Sequence, residues 1–214
     1  MARLLLFNPF DHVNKDSVRK RVEKLKKKKA HLSEEEICRL LIKRKCRRCA
    51  AVGAITALPG AIPVLGTLVA IIGGTFIDMT AMGYYITEMI LEIAVVYNRN
   101  LKISGTSREA VWVFVSSVGA GVAGKGLTGL TLGQLSGRVF QRLIERALLS
   151  LGIRASQRTI LRIIPIIGMI AIGIINNYTC RKVGEYVADY YAENAYADSW
   201  EGETIDVEVE VKGE

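Results

Sequence analysis

Residues 49–77 read CAAVGAITALPGAIPVLGTLVAIIGGTFI, and no side chain among them is charged. At about 1.5 Å of rise per residue, a helix of this length could cross the ~30 Å hydrocarbon core of a bilayer. Pro59-Gly60 and Pro63 interrupt the run, and a proline inside a helix costs about 3 kcal/mol and kinks or ends it. The stretch therefore predicts two helical arms, Cys49–Leu58 and Pro63–Ile77, joined through Pro59-Gly60-Ala61-Ile62. Asp78 closes it, the first charge after Arg48.

A second run has the same texture. Pro63-Val64-Leu65-Gly66 matches Pro165-Ile166-Ile167-Gly168 at an offset of 102 residues, and the same offset sets Phe76 on Tyr178 and Tyr84 on Tyr186. Repetition of this kind implies two similar supersecondary units. The match is short, and proline also suits the first turn of any apolar helix. Ile163–Cys180 forms the second uncharged run, 18 residues long, at the lower limit for a span. Gly66 and Gly168 are expected where helices approach closely. A charge after a long apolar run calls for a partner, so Asp78 is expected to pair with Arg181, one residue past its equivalent in the second unit.

Working outward, charge is segregated. Residues 1–50 carry 16 Lys/Arg against 6 Asp/Glu, whereas residues 185–214 carry 1 Lys against 10 Asp/Glu. A basic head beside an apolar segment favours an anionic surface, and the apolar neighbour selects lipid over nucleic acid. Lys26, Lys27, Lys28, Lys29, Arg47 and Arg48 are candidate lipid contacts. So are Arg138, Arg142 and Arg146, a stripe at four-residue spacing of the kind found in interfacial amphipathic helices. The basic bias keeps the N-terminus on the cytoplasmic side.

Local signals are helical. Val13–Ala30 reads as a basic helix, and Ser33 with Glu36 forms a capping box that starts a helix running into the apolar stretch. Thr80–Asn98 has apolar residues at helical spacing, and Ser107–Val118 reads as a buried helix. Met1–Phe10 reads as a short strand or docking arm. Gly119–Gly137 holds seven glycines, which suits a close-packed or flexible hairpin. In the tail, Ile205, Val207, Val209 and Val211 alternate with charged residues, a strand pattern.

Catalytic signals are weak. Gly119–Lys125 (GAGVAGK) nearly matches a phosphate loop, but position 126 is Gly where the magnesium-binding hydroxyl belongs. His31, Cys38, Cys46 and Cys49 lack the second compact pair that a zinc site needs. Cys46 and Cys49 lie at a basic-apolar junction suited to palmitoylation or reactive-thiol chemistry, and otherwise serve as small packing residues. Neither His12 nor His31 accompanies a nucleophile motif.

The segment CRRCAAVGAITALPGAIPVLGTLVAIIGGTFIDMTAMGYYITEMILEIAVVYN resembles the N-terminal half of EcsC-family proteins, with their G-A-x-T-x-L-P-G run, an Asp after an apolar helix, and a helix ending in I-A-x-x-Y. The later IIPIIGMIAIGIINNYTCRKVGEYVADYY resembles their P-x-I-G…N…G…A segment through Pro165, Ile167, Gly168, Asn176 or Asn177, Gly184 and Ala188. The resemblance covers roughly residues 33–195; Cys46, Cys49 and the acidic tail depart from the pattern. It implies a small, helical, membrane-associated bacterial protein, some relatives being encoded beside an ABC transporter, and it carries no catalytic residues.

The expected fold is all-α, a membrane-associated bundle of two related Gly/Pro-broken apolar hairpins. A basic N-terminal region (1–32) precedes the EcsC-like helical domain (33–197), and an acidic, strand-like or disordered tail (198–214) follows. The expected role is non-enzymatic, without cofactor, metal or nucleic acid: docking or inserting the hairpins at the cytoplasmic membrane and binding or regulating a membrane partner. The alternative is a soluble helical module for a nucleotide or other phosphate ligand. Pro59, Gly60, Pro63, Gly66, Asp78, Pro165, Gly168, Asn176 and Arg181 are the structural or interaction candidates.

Overall fold

The computed structural model describes residues 8–61, 68–118 and 167–194 of the 214-residue chain. Within them the protein is all-α, with six helices packed together: α1 (Pro9–His12), α2 (Lys15–Lys28), α3 (Glu34–Ala61), α4 (Leu68–Val96), α5 (Ser104–Ser117) and α6 (Ile167–Glu193).

Helix boundaries follow from local chemistry. Asn8 and Asn14 cap α1 and α2, their side-chain oxygens accepting from the backbone N–H groups of Phe10 and Ser17. The capping box at α3 is reciprocal: Ser33 N–H donates to Glu36 Oε2 at 2.8 Å, and Glu36 N–H donates to Ser33 Oγ at 3.2 Å. Each bond satisfies a backbone donor that the first helical turn leaves open. The far end of α4 is a Schellman turn. Arg99 N–H reaches Ala94 O and Asn98 N–H reaches Val95 O. Asn98 takes φ 62°, the left-handed conformation that this turn requires and that asparagine tolerates.

Two helices run further than the sequence predicts. α3 continues through Pro59 and Gly60 to Ala61, so these residues are helical instead of forming the joint between two arms. The expected arm Pro63–Ile77 and the expected helix Thr80–Asn98 are largely one helix, α4. The charge of Asp78 does not break it, because it is satisfied within the bundle. Pro63, Gly66 and Pro165, the glycine-rich segment, the arginine stripe 138–146 and the acidic tail lie outside the described residues. Gly168 lies in the first turn of α6.

The three long helices set the topology. α4 returns antiparallel to α3, with Lys45 meeting Glu88 and Arg48 meeting Tyr85. α6 is antiparallel to α3 as well, and very close to it. A Cβ on Gly184 would stand 2.8 Å from Ile42 Cγ1, and one on Gly173 would stand 3.2 Å from the carbonyl oxygen of Ala50. α4 and α6 are therefore parallel, joined by Asp78–Asn176 and Met89–Cys180. The core is made by Ile86, Met89, Ile90 and Ile93 of α4, Phe114 and Val111 of α5, Val183, Val187 and Tyr191 of α6, and Val18 and Val22 of α2. Phe10 of α1 packs edge-on against Phe114.

Candidate functional site

The bundle is polarised along its axis. At one end α1, α2 and α5 wrap the long helices. At the other end, the last turns of α3 meet the early turns of α4 and α6, and large apolar side chains are left in the open. Ile55, Ile77, Ile170 and Ile174 are each 59–63 % exposed. They come from three helices and lie at one level, because Ile55 and Ile77 flank the layer where Gly53 meets Asn176 and Asn176 meets Asp78. Four isoleucines gathered at one end are more informative than the same four scattered, since single exposed apolar residues are ordinary.

A collar of cations and tyrosines follows. Arg47, Arg48, Arg181 and Lys182 are exposed, and the antiparallel pairing of α3 with α6 brings residues 43–48 level with 181–182. The Arg48 guanidinium lies 5.8 Å from the Tyr85 ring centroid, and Lys182 Nζ lies 6.0 Å from that of Tyr178. Tyr178 is 61 % exposed. Tyrosines beside cations under an apolar tip match the residue pattern of a membrane-water interface.

An open groove of about 580 Å³ runs between α3 and α6 from tip to collar, floored by Ala50, Ala51, Ala54 and Gly173, walled by Ile170 and Ile174, and ending at Tyr178 and Arg181.

Two polar layers lie inside. Nearer the tip, Asp78 Oδ1 accepts a hydrogen bond from Asn176 Nδ2 at 2.7 Å, and the same amide reaches Cys49 O at 3.4 Å. Asp78 and Asn176 are both buried. Among the described residues, the second half supplies Asn176 as a partner to Asp78, not the expected Arg181, which lies exposed on the collar. The 102-residue offset places Cys180 opposite Asp78, and only the helical turn before Cys180 faces α4 at the Asp78 level.

The deeper layer is ionic. Glu88 and Glu92, one turn apart on α4, share Lys45 and Arg21: Lys45 bonds Glu88 and stands 3.1 Å from Glu92, and Arg21 bonds Glu88 and stands 3.1 Å from Glu92. Arg48 adds a contact of 3.7 Å to Glu88. Lys45 is 1 % exposed, so its ammonium depends on these carboxylates for the solvation that water would otherwise give. The sequence reading passed over this network. Its signal was present in two acids at i and i+4 in a largely apolar helix without a basic residue, which need cations from elsewhere.

The four cysteines are free and buried. Hydrogen bonding to Cys46 and Cys49, together with burial, pushes the Cys180 thiol well up, while the bond from Cys180 holds Cys46 below its usual value, aided by the charge of Arg181. Burial, reinforced by Glu34, pushes Cys38 up to about 12. Among the described residues no group of three or more His, Cys, Asp or Glu side chains is placed to hold a metal ion.

The lysine run sits elsewhere than its sequence context implies. Lys26 Nζ bonds Val96 O and Asn98 Oδ1 at the far end of α4, about 28 Å along that helix from Ile77. Lys26–Lys29 therefore lie at the wrapped end, and among the described residues the cations next to the apolar tip are Arg47, Arg48, Arg181 and Lys182.

Compared with protein-family models, curated proteins and solved structures, the chain shows no match.

Proposed function

We propose that this is a non-enzymatic, membrane-associated helical protein that seats its apolar tip in the cytoplasmic membrane, holds it there with the basic collar, and binds or regulates a membrane partner from the wrapped end. The observation that carries this reading is the gathering of Ile55, Ile77, Ile170 and Ile174 at one end of three helices, with cations and tyrosines directly behind them. The resemblance of residues 33–195 to EcsC-family proteins agrees with it.

The tip helices carry enough uncharged length to enter a bilayer. Among the described residues, Cys49–Ala61 of α3 and Ile167–Cys180 of α6 are each uncharged helix about 20 Å long, more than half of a ~30 Å hydrocarbon core. α4 contains the candidate span found among the described residues, Ile77–Val96, but 72 % of it is buried inside the bundle, so its apolar character is already used by the core. The cationic collar faces the cytoplasmic leaflet, whose surface is anionic.

Flotation of the full chain with vesicles tests the proposal. The chain is expected to float with vesicles of mixed phosphatidylglycerol and phosphatidylcholine, to float less as salt rises because exposed charges are screened, and to stay at the bottom when Ile55 and Ile174 are both changed to Asp. A chain that stays at the bottom with every vesicle composition would refute it.

A further inference from the structure

The groove between α3 and α6 has features that general adhesion to a bilayer does not require. Its floor is made of Ala50, Ala51, Ala54 and Gly173, and Ile170, Ile174 and Tyr178 rise from α6 beside it. The missing bulk is selective. Gly173 is needed to let α6 approach the Ala50 carbonyl, but Ala51 is exposed and packing does not require it to be small. At about 580 Å³ the groove lies within the range of small-molecule sites. Ile170 and Arg181 are eleven residues apart on one helix, so the groove is about 17 Å long, close to the depth of one leaflet.

Its two ends differ in chemistry. The Ile170 end is apolar. The other end carries Arg181, whose guanidinium has no ion-pair partner among the described residues. The nearby acid, Glu185, pairs with Lys182 at 3.6 Å. Asn177 and Tyr178 also line the groove. An apolar trough as long as an acyl chain, lined at its other end by an arginine, an asparagine and a tyrosine, is complementary to an amphiphile with one anionic head.

We infer that this groove binds a single anionic phospholipid, one acyl chain lying over Ala51 and Ala54 and the phosphate held by Arg181. Arginine suits that role because its planar donors grip phosphate in pairs. The inference takes its ligand source from the membrane reading above, but the site is defined by this groove alone, so the two can fail separately.

The experiment is a calorimetric titration of the full chain, without vesicles, using lysophosphatidylglycerol, lysophosphatidylcholine and inorganic phosphate, each lipid below its micellar concentration. The wild type is expected to take up one equivalent of lysophosphatidylglycerol, about tenfold more tightly than lysophosphatidylcholine, as one charged contact provides, and no measurable phosphate. Arg181→Gln should bring the two lipids to equal affinity. Ala51→Trp, which fills the trough from its exposed side, should abolish binding of both. Ile174→Asp, at a 63 % exposed position, should weaken binding at least tenfold and guards against a misfolded tryptophan variant. Binding unchanged by both Ala51→Trp and Ile174→Asp would overturn the inference, as would equal affinity for the two lipids in the wild type or competition by phosphate. A lipid-free dimer made monomeric by Ala51→Trp would assign the groove to a second copy of the chain, and would also overturn it. Loss of flotation with intact lysolipid binding would refute the membrane reading and leave the groove standing.

Discussion

Replacing Gly53 by alanine is expected to destabilise the fold, although the same change on an exposed helix would stabilise it by about 1 kcal/mol. A Cβ at position 53 would stand 2.4 Å from Asn176 Nδ2, 3.0 Å from its Cγ and 3.2 Å from Ile172 Cγ2. Asn176 must then move, and it is the group that donates to Asp78 at 2.7 Å. Overpacking costs about 1–3 kcal/mol, and weakening a buried hydrogen bond to a carboxylate costs about 1.5–3 kcal/mol. After the helix-propensity gain, the net loss is about 2–4 kcal/mol, which lowers the melting temperature by roughly 5–15 °C for a chain of this size. The assay is thermal unfolding of the full chain in a mild non-ionic detergent, followed by circular dichroism. Asn176→Ala removes the obstructing amide, so Gly53→Ala should cost little in that background. The cycle should then show an interaction of at least about 1 kcal/mol. A Gly53→Ala protein that melts at or above the wild-type temperature would refute the reasoning, because it would mean that no close contact exists between α3 and Asn176.

Three further outcomes are expected. Lys45→Met should destabilise by about 3–5 kcal/mol, measured by chemical denaturation, because it leaves Glu88 and Glu92 buried with a diminished set of cations; the triple change Lys45→Met/Glu88→Gln/Glu92→Gln should recover a large part of that loss. The Cys38 thiol, at about 12 and 1 % exposed, should resist alkylation at pH 8 in the native protein and react on unfolding; peptide mapping after iodoacetamide reads this directly, and stoichiometric native labelling of Cys38 would contradict its placement. Ser33→Ala should cost about 1 kcal/mol by removing one arm of the capping box, whereas Ser33→Asp should cost less, seen as the smaller shift in denaturation midpoint.

The elements that could be read in the sequence were those whose cause is local. The box at Ser33 and Glu36 needs three residues of context, and Asn98 marks a helix end by itself, so both appear where they were expected. The helical character of Ser107–Val118 also appears, with α5 starting slightly earlier at Ser104. What local context misjudged was continuity. Pro59-Gly60 looks like a break when only α3 is considered, and Asp78 looks like an end when only α4 is considered. The helix in fact runs through the proline to Ala61, and a carboxylate bonded across the bundle lets α4 go on past Asp78.

Partner identity was the other failure. A fixed sequence offset assumes that two helices face each other in the same register, and this put Arg181 next to Asp78. α4 and α6 pack with a different stagger, so Asn176 takes the place. The place of the lysine run was hidden for a similar reason. In sequence Lys26–Lys29 lie upstream of the apolar stretch, but α3 carries the chain tens of ångströms further before Ile55 is exposed.

The uninterrupted course of α3 has a mechanical consequence. Twenty-eight residues without a break make a rod about 42 Å long, fixed near its middle by Lys45 and pressed against α6 on either side at Ile42 and Ala50. A rod held this way acts as a lever. A tilt of about 10° about Lys45 would sweep the Ala61 end, about 24 Å away along the helix, through about 4 Å. Any displacement of either end of α3 would therefore strain the ion pairs around a single buried lysine.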